Sequence, residues 1–250
     1  MIDISTGMTN PMEMTLAVVF NACQDLTLSS DAIVTFADGD RGPSAPQTIA
    51  CGPNADAAAL RALKVSSAKV TAAVTGPEDT FAEAETDTGS LALSGQLDDR
   101  RAVRRALVLR GGSCGGAGPR PWHDVGRPAP NALEIVDRYF THLSAARFAE
   151  AVDCFAEDCM YGHPPYGPGM PRAVFRGRAA LLDGFERIRG PRPGRVAITA
   201  SGQCGAACFI EGVMEGIPDG GTFVSSVMLS TDAGIGRLAA WYTAPRVQRR

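Results

Sequence analysis

The feature that most restricts the fold of this chain is GGSCGGAGPRPWHDVGRPAP, residues Gly111 to Pro130, in which ten of twenty residues are Gly or Pro. Gly loses much conformational entropy on ordering and Pro donates no backbone hydrogen bond, so the stretch sustains neither a helix nor an interior strand. It reads as a linker over 111–130 that divides the chain into 1–110 and 131–247, each near the size of a small domain. With 45% hydrophobic and 20% charged residues, both parts can bury a core, which argues against disorder or a fibrous repeat.

Before the linker, Glu13 to Asn21, Ala32 to Ala37, Val65 to Val74 and Ala102 to Leu109 carry β-branched or alternating apolar patterns. Asn54 to Leu63 places a capping residue ahead of an Ala/Leu run and predicts a helix. The expectation is a smaller α+β or mainly β domain. Its acidic middle (Glu78, Asp79, Glu83, Glu85, Asp87, Asp98, Asp99) and basic end (Arg100, Arg101, Arg104, Arg105, Arg110) are expected to neutralise each other across neighbouring strands. No family resemblance is identified here.

After the linker, Asn131 precedes a helical stripe of Leu133, Val136, Tyr139 or Phe140, and Leu143. A second short helix is expected over Arg147 to Phe155, and a third after Gly177 with Leu181, Leu182, Phe185 and Ile188. Four strand-like runs follow: Arg195 to Ala200, Ala206 to Glu215, Thr222 to Ser230 and Gly236 to Thr243. Three helices and then a meander predict an α+β domain, its helices packed on one face of an antiparallel sheet.

A formal net charge of -3 gives no field that attracts polyanions, so nucleic acid is not an expected partner. Met1 to Asn10 lacks Lys and Arg, and Leu16 to Phe20 is too short for a signal-peptide core or a span, so a cytoplasmic protein without a membrane partner is expected. Seven cysteines, an odd count, fit reduced thiols. Cys154, Cys159, Cys204 and Cys208 with His163 supply sulfur and nitrogen, but no C-x-x-C pair exists, and no metal or other cofactor is expected. No P-loop, dinucleotide fingerprint after a strand, or G-x-S-x-G turn is found.

RYFTHLSAARFAEAVDCFAEDCMYGHPPY (Arg138 to Tyr166), FRGRAALLDGF (Phe175 to Phe185) and AAWYTAP (Ala239 to Pro245) together resemble the SnoaL-like and ketosteroid-isomerase-like branch of the nuclear transport factor 2-like superfamily. The resemblance covers about 115 residues and implies a cone-shaped sheet with an internal cavity. It does not settle function, since members include isomerases, cyclases, epoxide hydrolases, dehydratases and plain binding domains. Tyr139 falls where the isomerases carry an oxyanion-hole tyrosine, His163 where they carry the catalytic aspartate, and Ser226 where they carry a second aspartate. With two of three roles substituted, steroid isomerisation itself is not implied.

Histidine titrates near neutrality, so His163 is competent as a base while Tyr139, helped by Ser226, donates to the developing enolate oxygen. Tyr161, Tyr166, Met214, Val224, Met228 and Trp241 are candidates to grip a small apolar organic ligand. Each has a plainer reading: His163 as a hydrogen-bonded rim residue, Tyr139 and the apolar set as core, and Ser226 as packing. Arg176 and Arg178 read as turn-fixing residues. The leading expectation is a cofactor-independent isomerase or cyclase acting on a small apolar carbonyl compound. The rivals are a non-catalytic ligand-binding or dimerisation module and an epoxide hydrolase or dehydratase. The resemblance also implies a homodimer paired through the outer sheet face, unless the N-terminal half covers that face.

Overall fold

The computed structural model describes residues 28–38, 47–51, 68–111, 130–166, 170–216, 221–230 and 234–242. The expected elements over Glu13 to Asn21 and Asn54 to Leu63 lie outside them. Two six-stranded sheets are formed. The first contains β1 (Leu28–Asp38), β2 (Gln47–Cys51), β3 (Ala68–Thr75), β4 (Asp79–Thr86), β5 (Gly89–Leu97) and β6 (Val103–Gly111), in the order β2-β1-β6-β5-β4-β3. The second contains β7 (Phe155–His163), β8 (Ala173–Arg176), β9 (Arg195–Cys204), β10 (Ala207–Glu215), β11 (Thr222–Leu229) and β12 (Ile235–Tyr242), in the order β8-β7-β12-β11-β10-β9. The four-strand meander is as expected, but the sheet is mixed rather than antiparallel, because β7 runs parallel to β12. Apolar patterning marks where strands lie but not the direction in which distant strands pair.

Helix α1 (Ala132–Ser144) starts where Asn131 accepts a hydrogen bond from the Leu133 backbone N–H at 3.1 Å. Its buried stripe is Ala132, Ile135, Val136, Tyr139, Phe140 and Leu143. Replacing Asn131 by Ala leaves that N–H without its acceptor, and thermal unfolding should show a loss of about 1 kcal/mol. Helix α2 (Phe148–Val152) is shorter than expected because the chain enters β7 at Phe155. Helix α3 (Arg178–Gly184) passes into a π-helical turn, Phe185–Arg189, that ends at Gly190 with φ 62°. These helices bury Tyr139, Phe140, Leu181 and Phe185 against Cys208, Ile210, Phe223 and Leu238 of the second sheet.

The opposite face of the second sheet is covered by the first sheet. Phe81 on β4 stacks on Phe209 on β10 with ring centroids 5.8 Å apart, while Ala92 and Leu109 pack with Val224, Ala239 and Trp241. Within this contact Arg237 on β12 grips Glu83 on β4 through both guanidinium nitrogens, one at 2.9 Å. Of the acidic run, Glu83 pairs with the other sheet rather than with the basic run, because β5 separates β4 from β6. Strands β4 and β5 were not evident in the sequence because their polar residues (Glu83, Ser90, Ser94) point into this polar-spotted contact. Gly111, at the edge of the expected linker, ends β6, and a Cβ there would stand 2.7 Å from Trp241 Cδ1. Among the described residues no helix is long and apolar enough to cross a membrane.

Candidate active site: a histidine among four tyrosines

All four tyrosines of the chain surround His163 or connect to it. Alternation along β7 puts Phe155, Cys159, Tyr161 and His163 on the helix side of the sheet. The His163 ring lies between Tyr161 (centroids 6.0 Å, 11° between planes) and Tyr166 (4.2 Å, 8°), with Tyr242 of β12 at 5.0 Å. Tyr139 reaches from α1, its ring edge-on to Phe155 at 5.1 Å and its hydroxyl donating to the Tyr161 hydroxyl at 3.4 Å. Tyr139 and His163 are thus joined through Tyr161. With the Tyr161 oxygen accepting, its own proton is free to be donated onward.

His163 Nδ1 lies 2.7 Å from the Pro164 carbonyl oxygen. A carbonyl only accepts, so Nδ1 carries the proton and Nε2 of the neutral ring carries the lone pair. The His163 pKa is lowered to about 3, chiefly by burial and also by the charges of Arg192, Arg172 and Arg189, against the opposing bond to Pro164. Burial raises the pKa values of Tyr139, Tyr161, Tyr166 and Tyr242, so their hydroxyls stay protonated and able to donate. The Tyr166 hydroxyl is buried and faces that of Tyr161, without a hydrogen bond of ordinary geometry among the described residues.

Beside this cluster, the turn that follows α3 delivers two cations. Arg192 stands over the Tyr166 ring at 5.1 Å and Arg189 over Phe148 at 6.0 Å. Their recorded hydrogen bonds go to backbone carbonyls, Arg189 to Gly190 and Arg192 to Arg189, and among the described residues neither has a carboxylate partner.

Of the expected site residues, the structure brings together His163, Tyr139, Tyr161 and Tyr166. Ser226, Val224 and Trp241 sit on the other face of the sheet. Ser226 accepts from Arg237 at 3.3 Å, Trp241 donates to Ser90 at 3.2 Å, and Val224 packs on Ala92 and Leu109. Met228 packs against the Phe81–Phe209 cluster as well as the helix-side core. The period of two was legible but its phase was not, because both faces are buried, and a shift of one residue exchanges them. The helix-side residues are their neighbours: Phe223, Val227, Tyr242 and, by alternation, the buried Ser225. Met214 is half-buried on β10 opposite Val196. Tyr242, Arg189 and Arg192 were missed. Tyr242 adjoins Trp241, and the only signal for the arginines was their place in a Gly/Pro-rich turn, RIRGPRPGR.

Arg178 fixes local structure as expected, donating to the Phe155 carbonyl at 2.6 Å with Asp153 and Glu157 each 3.8 Å away. Cys154, Cys159 and Cys208 are buried thiols and Cys204 is exposed; among the described residues no group of three or more His, Cys, Asp or Glu converges as a metal site.

Helices on one face of a mixed sheet, with a polar aromatic cluster between them, give the C-terminal part an α+β fold. Residues 136–232 match the model of the SnoaL-like domain, in agreement with the resemblance carried by Arg138 to Pro245. Similar solved structures include an NTF-2 like protein of unknown function from Burkholderia xenovorans LB400, 15% identical over 45% of this chain and 83% of that one, TM-score 0.38. Another is a protein with a ketosteroid isomerase-like fold from Catenulispora acidiphila DSM 44928 in complex with trimethylamine, 20% identical over 46% and 87%, TM-score 0.37. A third, with a cystatin-like fold, comes from Methylobium petroleophilum PM1, 18% identical over 49% and 84%, TM-score 0.37. No match was found among the curated proteins.

Proposed function

We propose that this protein is a cofactor-independent proton-transfer enzyme, an isomerase or cyclase, whose substrate is a small carbonyl compound with an apolar body and one anionic group. The observation that carries this reading is the Nδ1 bond of His163 to Pro164, which leaves Nε2 unprotonated in a cluster of protonated tyrosine hydroxyls. His163 takes the proton alpha to the carbonyl, and the hydroxyl of Tyr161, polarised by Tyr139, or that of Tyr166 donates to the enolate oxygen. Returning the proton to another carbon shifts a double bond, and attack of the enolate carbon on a second carbonyl closes a ring.

Arg189 and Arg192 supply the anion preference. Their charges help to hold His163 at low basicity, so a ligand carboxylate that neutralises them raises the basicity of Nε2 as the substrate binds. The rival reading, a catalytically silent binding site, is favoured by the same burial that weakens His163 as a base. Buried free thiols support a reducing, cytoplasmic location.

Proton NMR of α-hydrogen exchange in D2O, over small cyclic and aryl ketones with and without a carboxylate, separates the two. The enzyme reading expects exchange of carboxylate-bearing ketones, a loss of roughly 10²- to 10⁴-fold in His163→Gln, and a raised KM in Arg192→Gln with a smaller change in kcat. Binding without exchange would leave the silent site, and undiminished exchange in His163→Gln would remove His163 as the base.

A further inference from the structure

The two sheets agree beyond strand order. In the second sheet β10 and β11 pair Phe209 with Ser226, and β11 and β12 pair Leu229 with Ile235; in the first, β4 and β5 pair Phe81 with Ser94, and β5 and β6 pair Leu97 with Val103. The irregularities coincide as well. The ladder slips between Gln96 and Leu97 in one sheet and between Met228 and Leu229 in the other. The meander's first pair slips opposite Glu83–Ala84 and at Glu211–Gly212, and the parallel pair slips between Leu28 and Ile33 and between Ile235 and Arg237, opposite Phe155 and Met160. Bulges are local, sequence-encoded features, so three shared positions in one register are not a consequence of strand order.

This register makes Phe81 the counterpart of Phe209, Glu83 of Glu211, Ser94 of Ser226 and Val74 of Gly202. A twofold relation requires residues near its axis to meet their own counterparts. Phe81 stacks on Phe209, and a Cβ on Gly202 would lie 3.0 Å from Val74 Cγ1. Off the axis contacts must cross, and they do: Ser94 donates to Glu211, while Ser226 and Glu83 share Arg237. The site is not repeated. Val34 stands where the second sheet has Tyr161, Phe36 where it has His163, and Arg110 where it has Tyr242. Arg110 lies over the Phe36 ring at 5.3 Å, and no His, Tyr or Trp occurs before Trp122.

We propose that the chain is two copies of one fold joined in tandem and packed face to face, in which the N-terminal copy has lost the site and serves as the built-in partner of the C-terminal one. The face on which the resemblance expects a second chain is then closed internally, and the protein works as a monomer with one site.

Light scattering on the full chain tests this, with one-chain mass, 26.1 kDa, expected on dilution. The seating is tested by Val74→Cys/Gly202→Cys, prepared at natural abundance and 15N-labelled, mixed unfolded, refolded, oxidised and mapped by mass spectrometry. The expected 74–202 disulfide joins peptides of one isotope only. A two-chain mass, mixed-isotope linked peptides, or no 74–202 link in a folded variant each overturns the proposal. Should the variant not fold, the wild-type mass decides.

Discussion

Arg237→Met should cost about 3–5 kcal/mol of stability, read from denaturant unfolding, because it leaves the Glu83 carboxylate charged inside the contact between the sheets. Glu83 is 1% exposed and Arg237 9%, so water cannot replace the lost partner. Both guanidinium nitrogens of Arg237 that reach Glu83 would go, along with the donor to Ser226. The double variant Glu83→Leu/Arg237→Met should recover most of the loss, because apolar side chains of similar size do not require the desolvation of two ions. If Arg237→Met alone is neutral, the pair is solvated and the sheets do not pack as described. Because the pair ties β4 to β12, the unfolding midpoint of the whole chain should move as one transition.

His163→Phe should flatten the loss of stability in mild acid. The pKa of His163 is about 3 in the folded protein and 6.5 as a free side chain. Above pH 6.5 the ring is neutral in both states and contributes no pH dependence. Between 6.5 and 3 the unfolded chain binds a proton that the folded chain cannot, so stability falls as the pH is lowered. The difference amounts to about 2 kcal/mol at pH 5, from 1.36 kcal/mol per pH unit. Phe is chosen because Phe36 fills the corresponding place in the first sheet, so a ring of that shape suits the fold. The variant should unfold at nearly the same midpoint at pH 7 and pH 5 relative to wild type's fall. Parallel pH profiles for the two proteins would mean that the imidazole titrates freely. In the proposed reaction the same variant should lower α-hydrogen exchange by roughly 10²- to 10⁴-fold, since no other neutral base joins the tyrosine cluster among the described residues.

The legible parts of this protein are those whose signals are local. Asn131 ahead of an apolar stripe gave α1, Gly and Asp-Gly turns bounded the β9–β12 meander, and the order of motifs from Arg138 to Pro245 pointed to the SnoaL-like domain whose model matches residues 136–232. His163, Tyr139, Tyr161 and Tyr166, which the structure brings together, all lie within those motifs. The failures share a cause in long-range packing. Val224, Ser226, Met228 and Trp241 alternate as an inward set should, but a second sheet buries the other face too. Burial then no longer marks which face holds the site, and Tyr242 was passed over for its neighbour. Arg189 and Arg192 acquire meaning only where the π-helical turn sets them against the tyrosines.

By itself, the sequence determined the start of α1 at its cap, the strand periodicity and the residue types available for chemistry: three histidines and four tyrosines. Tertiary structure decided which of them meet, which sheet face is the working one, and that the N-terminal half closes the other face with Glu83 and Phe81. Periodicity is a property of a single strand, whereas a face acquires its role only from what is packed against it.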